Sequence, residues 1–167
     1  TICDTIGLLG PKAIDLLRGM DDIVHAGDIG SEQILAALRA IAPLTVVRGN
    51  NDTQPWAASI AETATLEVRG RRLHVIHEIS KLSIDPATEG ISVVIFGHSH
   101  KPGIEEKEGV LYMNPGSAGP RRFKLPTTIA QLFIGPRTLR PEIVTVPLFG
   151  PDQGSSRKGA KLAKPEK

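Results

Sequence analysis

Short apolar runs rich in β-branched residues alternate, in the first third of the chain, with segments whose apolar residues recur every three or four positions. The runs at residues 22–26 and 44–47 predict buried strands. Residues 11–19 and 31–40 predict helices, because a proline stands near the start of the first and Ser31 can cap the second. This strand–helix order predicts parallel strands joined by right-handed crossovers.

Strand patterns dominate the rest of the chain. Residues 63–68 and 72–77 flank a short break at Arg69-Gly70-Arg71, which predicts a hairpin. Further strand candidates are residues 92–96, 110–113, 127–134 and 142–146. Such a mixture of crossover-joined and hairpin-joined strands predicts an α/β protein with two packed sheets and helices outside them, rather than one doubly wound sheet.

The composition is that of one globular domain. The chain has 167 residues, of which 40% are hydrophobic and 23% charged, enough for a substantial core. We expect residues 1–148 to form this domain. Residues 149–167 are rich in Lys, Gly, Ser and Pro and are expected to be a disordered basic tail.

Charge and apolar run length exclude two classes of partner. The net charge is +2, but residues 151–167 alone carry five cationic and two anionic side chains. The body is therefore almost neutral and lacks the basic footprint of a nucleic-acid-binding protein. No apolar run approaches the roughly 20 residues that span a bilayer, so no membrane partner is expected.

The cysteine content bears on the cellular location, and the first residues bear on where the natural chain begins. A single cysteine, Cys3, excludes an internal disulfide and fits a cytoplasmic location. The chain begins at Thr1 rather than at methionine, and only three residues precede Asp4. Because strands usually run about 5–6 residues, we expect the natural chain to begin further upstream.

Oxygen and nitrogen donors follow the predicted strands, one after another. Asp4, Asp28 and Asn50 each come after a short strand of the first half, and ligands collect at the carboxyl ends of strands in α/β sheets. The motifs in chain order are Cys3-Asp4-Thr5, Gly27-Asp28, Gly49-Asn50-Asn51-Asp52, His77 and Gly97-His98-Ser99-His100. Two carboxylates, an amide and three imidazoles suit a divalent ion of intermediate hardness, such as Mn, Fe, Ni or Zn.

Other polar residues near these motifs have less specific interpretations. Asp52 is expected to hold the Asn50 loop by hydrogen bonds. His25 and His74 lie inside predicted strands, where a histidine is more often packed than a ligand. Trp56, the only tryptophan, is expected to pack in the core.

The ordered motifs, together with the loop at residues 114–117 (Asn-Pro-Gly-Ser), resemble the calcineurin-like metallophosphoesterase superfamily, specifically its small single-domain prokaryotic phosphodiesterase branch. The resemblance extends from Thr1 to about Val146. It implies a four-layer αββα sandwich with two metal ions where the central sheets meet. The implied metal ligands are Asp28 for both ions, Asp4 and His100 for the first, and Asn50, His77 and His98 for the second.

The resemblance also implies an activity. A hydroxide bridging two divalent ions would attack the phosphorus of a small phosphodiester or other phosphate ester, with Asp28, Asn50 and Asn51 as the catalytic residues. Manganese is the preferred metal, with nickel, iron or zinc as alternatives. Arg121 and Arg122 either bind the substrate phosphate as a fork or face solvent. A homodimer is one possible assembly.

Two positions depart from the family pattern. The first family motif is Asp-x-His, but here Ile6 stands in place of the histidine and supplies no donor, so the first metal site is weakened. At Asn51 many relatives have a histidine that protonates the leaving group, and an amide cannot do so near neutral pH. The alternative is therefore a weak or inactive scaffold on the same fold, as in the small retromer subunit.

Overall fold

Two layers of β-sheet packed face to face organise the computed structural model, which describes residues 5–119 and 125–147. Asp4, Arg121, Arg122 and the predicted basic tail lie outside these described residues. The sequence predictions for them stay predictions.

The predicted parallel pairing of the runs at residues 22–26 and 44–47 is confirmed. Strands β1 (Ile23–His25) and β2 (Leu44–Val46) pair in parallel, with Ile23 opposite Leu44. Helix α1 (Pro11–Leu17) precedes β1 and helix α2 (Glu32–Arg39) connects it to β2. Ser31 occupies the N-cap of α2, but its side chain makes no capping hydrogen bond.

The second layer is a five-stranded mixed sheet in the order β3-β4-β5-β7-β6. Its strands are β3 (Thr63–Val68), β4 (Arg71–Ile76), β5 (Ile91–Ile95), β6 (Gly103–Lys107) and β7 (Val110–Asn114). The central strands β4, β5 and β7 run parallel, and the two edge strands are antiparallel to their neighbours. The hairpin break is confirmed: Arg69 and Gly70 have φ of 50° and 72°, as a two-residue primed turn requires.

A last hairpin forms a separate two-stranded sheet that packs in the same layer as β1 and β2. Strands β8 (Thr128–Ile134) and β9 (Leu139–Thr145) pair antiparallel. Neighbouring residues along β1 and β8 face opposite ways: Ile23 and Ile129 pack against the helices, whereas Val24 and Ala130 pack against the five-stranded sheet. Strand β1 and the first half of β8 are therefore buried on both faces, as strands in the middle of a sandwich are.

The predicted sandwich of two packed sheets with helices outside is confirmed, with one difference from the expected symmetry. In the described part of the chain both α-helices lie on the first sheet. The outer face of the second sheet is covered by the connection between β4 and β5, which carries the 3-10 helix Ile79–Lys81 and packs Leu82 and Ile84 against Val94. No helix among residues 5–119 and 125–147 is long and apolar enough to cross a bilayer.

Candidate metal centre

Asp28 lies in the turn after β1, and this turn requires a glycine at the preceding position, residue 27. Asp28 is 2% exposed and has a φ of 56°, in the left-handed region. Gly27 before it has a φ of 95°, and a Cβ there would lie 2.6 Å from His77 Nδ1. The Gly-Asp pair thus reflects a close approach between this turn and the end of β4.

The loop after β2 contacts the Asp28 carboxylate directly. Asn51 donates its backbone N–H to Asp28 Oδ1 at 2.9 Å and its side-chain amide to Oδ2 at 2.5 Å. A Cβ on Gly49 would lie 2.1 Å from the Asp28 backbone nitrogen, so this loop can approach only with glycine at that position. Asn51 therefore orients Asp28, a role that the sequence motif did not indicate.

The Asp52 carboxylate connects the loop after β1 to the loop after β2 by hydrogen bonds. Its Oδ1 accepts the backbone N–H groups of Ile29 and Gly30 at 2.9 and 3.0 Å. Its Oδ2 accepts the N–H of Gly49 at 2.8 Å. Asp52 is only 4% exposed, and the prediction that it holds the Asn50 loop is confirmed.

His77 follows β4 directly, and one of its ring nitrogens is hydrogen-bonded to the backbone. Its Nδ1 lies 2.7 Å from the carbonyl oxygen of Ala26, so Nδ1 carries a proton and donates it. Its Nε2 lies 3.0 Å from Asn50 Oδ1 and 3.4 Å from Asp28 Oδ1. An imidazole held this way through Nδ1 presents Nε2 as metal-ligating histidines do.

His98 reaches the same amide oxygen from the turn after β5. Its Nδ1 lies 2.9 Å from Asn50 Oδ1, and its ring meets that of His77 edge to face at 5.2 Å between centroids. His98 has a φ of 67°, which costs free energy for a residue with a Cβ.

Asn114, at the end of β7, supports this turn. Its Nδ2 donates to the Gly97 carbonyl at 3.0 Å and to Ser99 Oγ at 3.1 Å. Its Oδ1 accepts the N–H of Gly116 at 2.9 Å. The first residue of the Asn-Pro-Gly-Ser loop therefore contacts both neighbours of His98, the Gly97 backbone and the Ser99 side chain.

The donor set around Asn50 Oδ1 fits a divalent cation. The amide oxygen of Asn50 can only accept hydrogen bonds, and His77 Nε2 lies 3.0 Å from it. An amide oxygen and an imidazole nitrogen at this separation can both ligate one divalent ion of intermediate hardness. Within residues 5–119 and 125–147 no three His, Cys, Asp or Glu side chains by themselves form a group that could hold a metal ion, so the amide oxygen of Asn50 is essential to this set.

A model of the calcineurin-like phosphoesterase superfamily domain matches residues 5–135. The chain belongs to this superfamily. It is 33% identical over 115 residues to a "probable metallophosphoesterase" of Methanothermobacter thermautotrophicus, covering 64% of this chain and 66% of the relative. It is 32% identical over 116 residues to another from Methanocaldococcus jannaschii, covering 64% of this chain and 58% of the relative. The chain thus spans slightly less than two thirds of these relatives.

Solved structures with the same fold come from all three domains of life. A structure described as a novel archaeal phosphodiesterase superposes with a TM-score of 0.69 at 23% identity, covering 86% of this chain and 97% of that one. Vps29 of Entamoeba histolytica in complex with Zn²⁺ gives a TM-score of 0.69 at 19% identity, covering 87% and 97%. A predicted phosphoesterase from Streptococcus pneumoniae gives 0.68 at 22%, covering 86% of each chain.

Ile6, where the resemblance predicts a histidine, has an unfavourable backbone conformation. Its φ is 47°, in the left-handed region that a β-branched residue strongly disfavours. Its N–H donates to the Asp28 carbonyl at 3.0 Å, so Ile6 lies beside the Asp28 turn. His100, with a φ of 58°, follows His98 in the same turn and is half-buried.

The remaining two histidines lie off the donor set. His25 is fully buried on β1, and burial, followed in importance by the nearby His77, lowers its pKa from 6.5 to about 3. His74 on β4 contacts Thr65 Oγ at 3.0 Å, and burial lowers its pKa as well. Both are packed, as expected, and Trp56 packs against the core beneath the helices.

A cleft beside the donor set is open to a ligand. It has a volume of about 400 Å³ and is lined by the Asn50 loop and by Arg48, Gln54, Pro55 and Glu62. A larger cavity of about 810 Å³ lies elsewhere, between the β3–β4 and β8–β9 hairpins, and none of the candidate metal ligands lines it. Among the described candidate ligands, Asn50 is the one that lines the smaller cleft.

Proposed function

We propose that this protein is a metal-dependent phosphodiesterase, with manganese as the preferred ion. The observation that carries the proposal is the meeting of His77 Nε2 and His98 Nδ1 at Asn50 Oδ1, at 3.0 and 2.9 Å, beside the Asp28 carboxylate. Imidazole nitrogens with carboxylate and amide oxygens suit Mn²⁺, Fe²⁺, Ni²⁺ or Zn²⁺. A divalent ion bound there would lower the pKa of a coordinated water and neutralise charge on phosphoryl oxygens.

The chain's own residues have separate tasks in this proposal. Asp28, Asn50, His77 and His98 would hold one ion, with Asp28 shared by a second. His77 keeps Nε2 directed into the site because Ala26 accepts its other ring proton. One amide hydrogen of Asn51 donates to Asp28, and the other is left to donate to a phosphoryl oxygen.

Asn51 cannot serve as a proton donor to the leaving group. Asn51 stands where many relatives carry a histidine, and its amide cannot protonate an alkoxide near neutral pH. We therefore expect aryl esters, whose leaving groups need no proton, to react faster than alkyl esters. The organic part of a small phosphate ester would lie in the 400 Å³ cleft beside Asn50.

The first metal position is the weaker one. Asp4 and His100 are its proposed ligands, and Ile6 contributes no donor to it. Complete loss of that ion would favour the second candidate, a scaffold on the phosphoesterase fold. Ile6 supports that candidate, whereas the preserved Asn50, His77 and His98 cluster supports the enzyme.

A chromogenic aryl phosphodiester tests the proposal. Protein stripped with a chelator and titrated with Mn²⁺ should show saturable turnover, which His98→Ala abolishes. His74→Gln is the matched control, because His74 contacts Thr65 away from the site, and it should retain activity. No turnover with Mn²⁺, Ni²⁺, Zn²⁺ or Fe²⁺ would favour the scaffold, and Ile6→His would then show whether that position silenced the site.

A further inference from the structure

A chain of three buried hydrogen bonds runs beneath the Asp28 turn. Gly27 N–H lies 3.2 Å from His25 Nδ1, His25 Nε2 lies 3.0 Å from Thr5 Oγ1, and Thr5 Oγ1 lies 2.8 Å from the Ile29 carbonyl oxygen. His25 and Thr5 are both 0% exposed. This series of hydrogen bonds starts at Gly27 and ends at Ile29, the two residues that flank Asp28.

The donor and the acceptor of each of these three hydrogen bonds can be assigned. The Ile29 carbonyl can only accept, so Thr5 donates its hydroxyl hydrogen to it. The Thr5 oxygen must then accept from His25 Nε2–H, and His25 Nδ1 accepts from the Gly27 N–H. His25 is therefore a neutral imidazole protonated on Nε2, and the bonds polarise one another in one direction.

We propose that His25 and Thr5 are positioning residues that hold the Asp28 carboxylate in its ligating place. The Asp28 backbone has a φ of 56°, a conformation that persists only when the surroundings enforce it. The chain ties the N–H before Asp28 to the carbonyl after it through two buried side chains, and so enforces that turn. Asn51 can then meet both carboxylate oxygens.

A general packing role makes a different prediction from a positioning role. Packing alone would stabilise the whole domain, so its loss would affect every slowly exchanging amide in proportion. A positioning role affects the amide of Asn51 first, because that N–H donates to Asp28 Oδ1. The proposal rests on the proposed function only for its consequence for metal binding.

Thr5→Val removes the hydroxyl while keeping the shape of the side chain, and Thr5→Ser restores it. Thr65→Val is the matched control, because Thr65 Oγ also contacts a histidine ring nitrogen at 3.0 Å but lies on β3, away from Asp28. Amide hydrogen exchange of the metal-free protein is the first measurement. It is read at Asn51 and, for global stability, at Val93 in the buried centre of β5.

In Thr5→Val we expect the protection of Asn51 to fall about five- to tenfold more than that of Val93. Thr5→Ser should recover most of it, and Thr65→Val should leave the ratio unchanged. Equal losses at both amides, or an unchanged Asn51 in Thr5→Val, would overturn the positioning role.

Mn²⁺ affinity then tests the consequence for the site. Measured by electron paramagnetic resonance of free Mn²⁺, it should fall roughly tenfold in Thr5→Val, as is usual for groups that orient a ligand. If wild-type protein binds no Mn²⁺, the proposed function fails, while the exchange result still decides whether His25 and Thr5 hold Asp28.

Discussion

Replacing Asp52 with asparagine should destabilise the fold far more than its small change in size suggests. Asp52 accepts three backbone N–H groups from two loops, two at Oδ1 and one at Oδ2, and is 4% exposed. Asparagine has one acceptor oxygen. If it takes the Oδ1 position, its NH₂ group faces the N–H of Gly49, and that donor loses its partner.

The size of the effect follows from these three bonds. A buried donor without a partner costs about 1–3 kcal/mol, and each remaining bond loses about 0.5–1 kcal/mol when its acceptor is no longer charged. Asp52→Asn should therefore lower the free energy of unfolding by roughly 2–5 kcal/mol. A domain of ordinary stability has only about 5–15 kcal/mol.

Urea unfolding followed by circular dichroism measures this difference. Asp85→Asn is the matched control, because Asp85 also accepts two backbone N–H groups, at 3.1 and 3.4 Å, but in an exposed turn. We expect a change within about 0.5 kcal/mol for the control. If the two variants unfold at the same urea concentration, the reasoning about buried acceptors is refuted.

Three further predictions test the site and its supports. The pKa of His25 is about 3 in the folded protein and 6.5 in the unfolded chain. As the pH falls from 6.5 toward 3, only the unfolded chain protonates His25, so the free energy of unfolding should decrease over that window. In urea titrations, His25→Gln should flatten this pH dependence. Ile6→Asn should raise stability by about 1 kcal/mol, since asparagine tolerates a φ of 47°; a lower melting temperature would contradict this. Gly49→Ala, whose Cβ would lie 2.1 Å from the Asp28 nitrogen, should abolish Mn²⁺ binding, whereas Gly10→Ala, with no atom within 4 Å, should not.

Much of the fold could be predicted because burial leaves a regular trace in the sequence. The β-branched runs before Gly27 and Gly97 are strands with both faces buried, and such strands show continuous apolar residues. Strand β6 was missed because all five of its residues, Gly103–Lys107, are exposed. An edge strand of this kind has no apolar alternation, and only its pairing with β7 defines it.

The candidate site could be predicted in part. The sequence placed Asp28, Asn50, His77 and His98 directly after strands, and the structure brings these four together. The contribution of Asn51 to the Asp28 carboxylate was not foreseen, because an amide in a loop has many possible partners. The same holds for the hydrogen-bonded chain through Thr5 and His25, which joins residues 20 and 24 positions apart.

The sequence by itself determined which donors exist, which strands they follow, and where glycine is required for a turn. Only the tertiary structure decided that His77 and His98 meet at one oxygen of Asn50, because those contacts join residues 27 and 48 positions apart. The conformational preferences of individual residues act only between near neighbours in the sequence, so they cannot specify contacts at such separations. Packing of the two sheets fixes them, since burying both apolar faces leaves one arrangement of the strand ends.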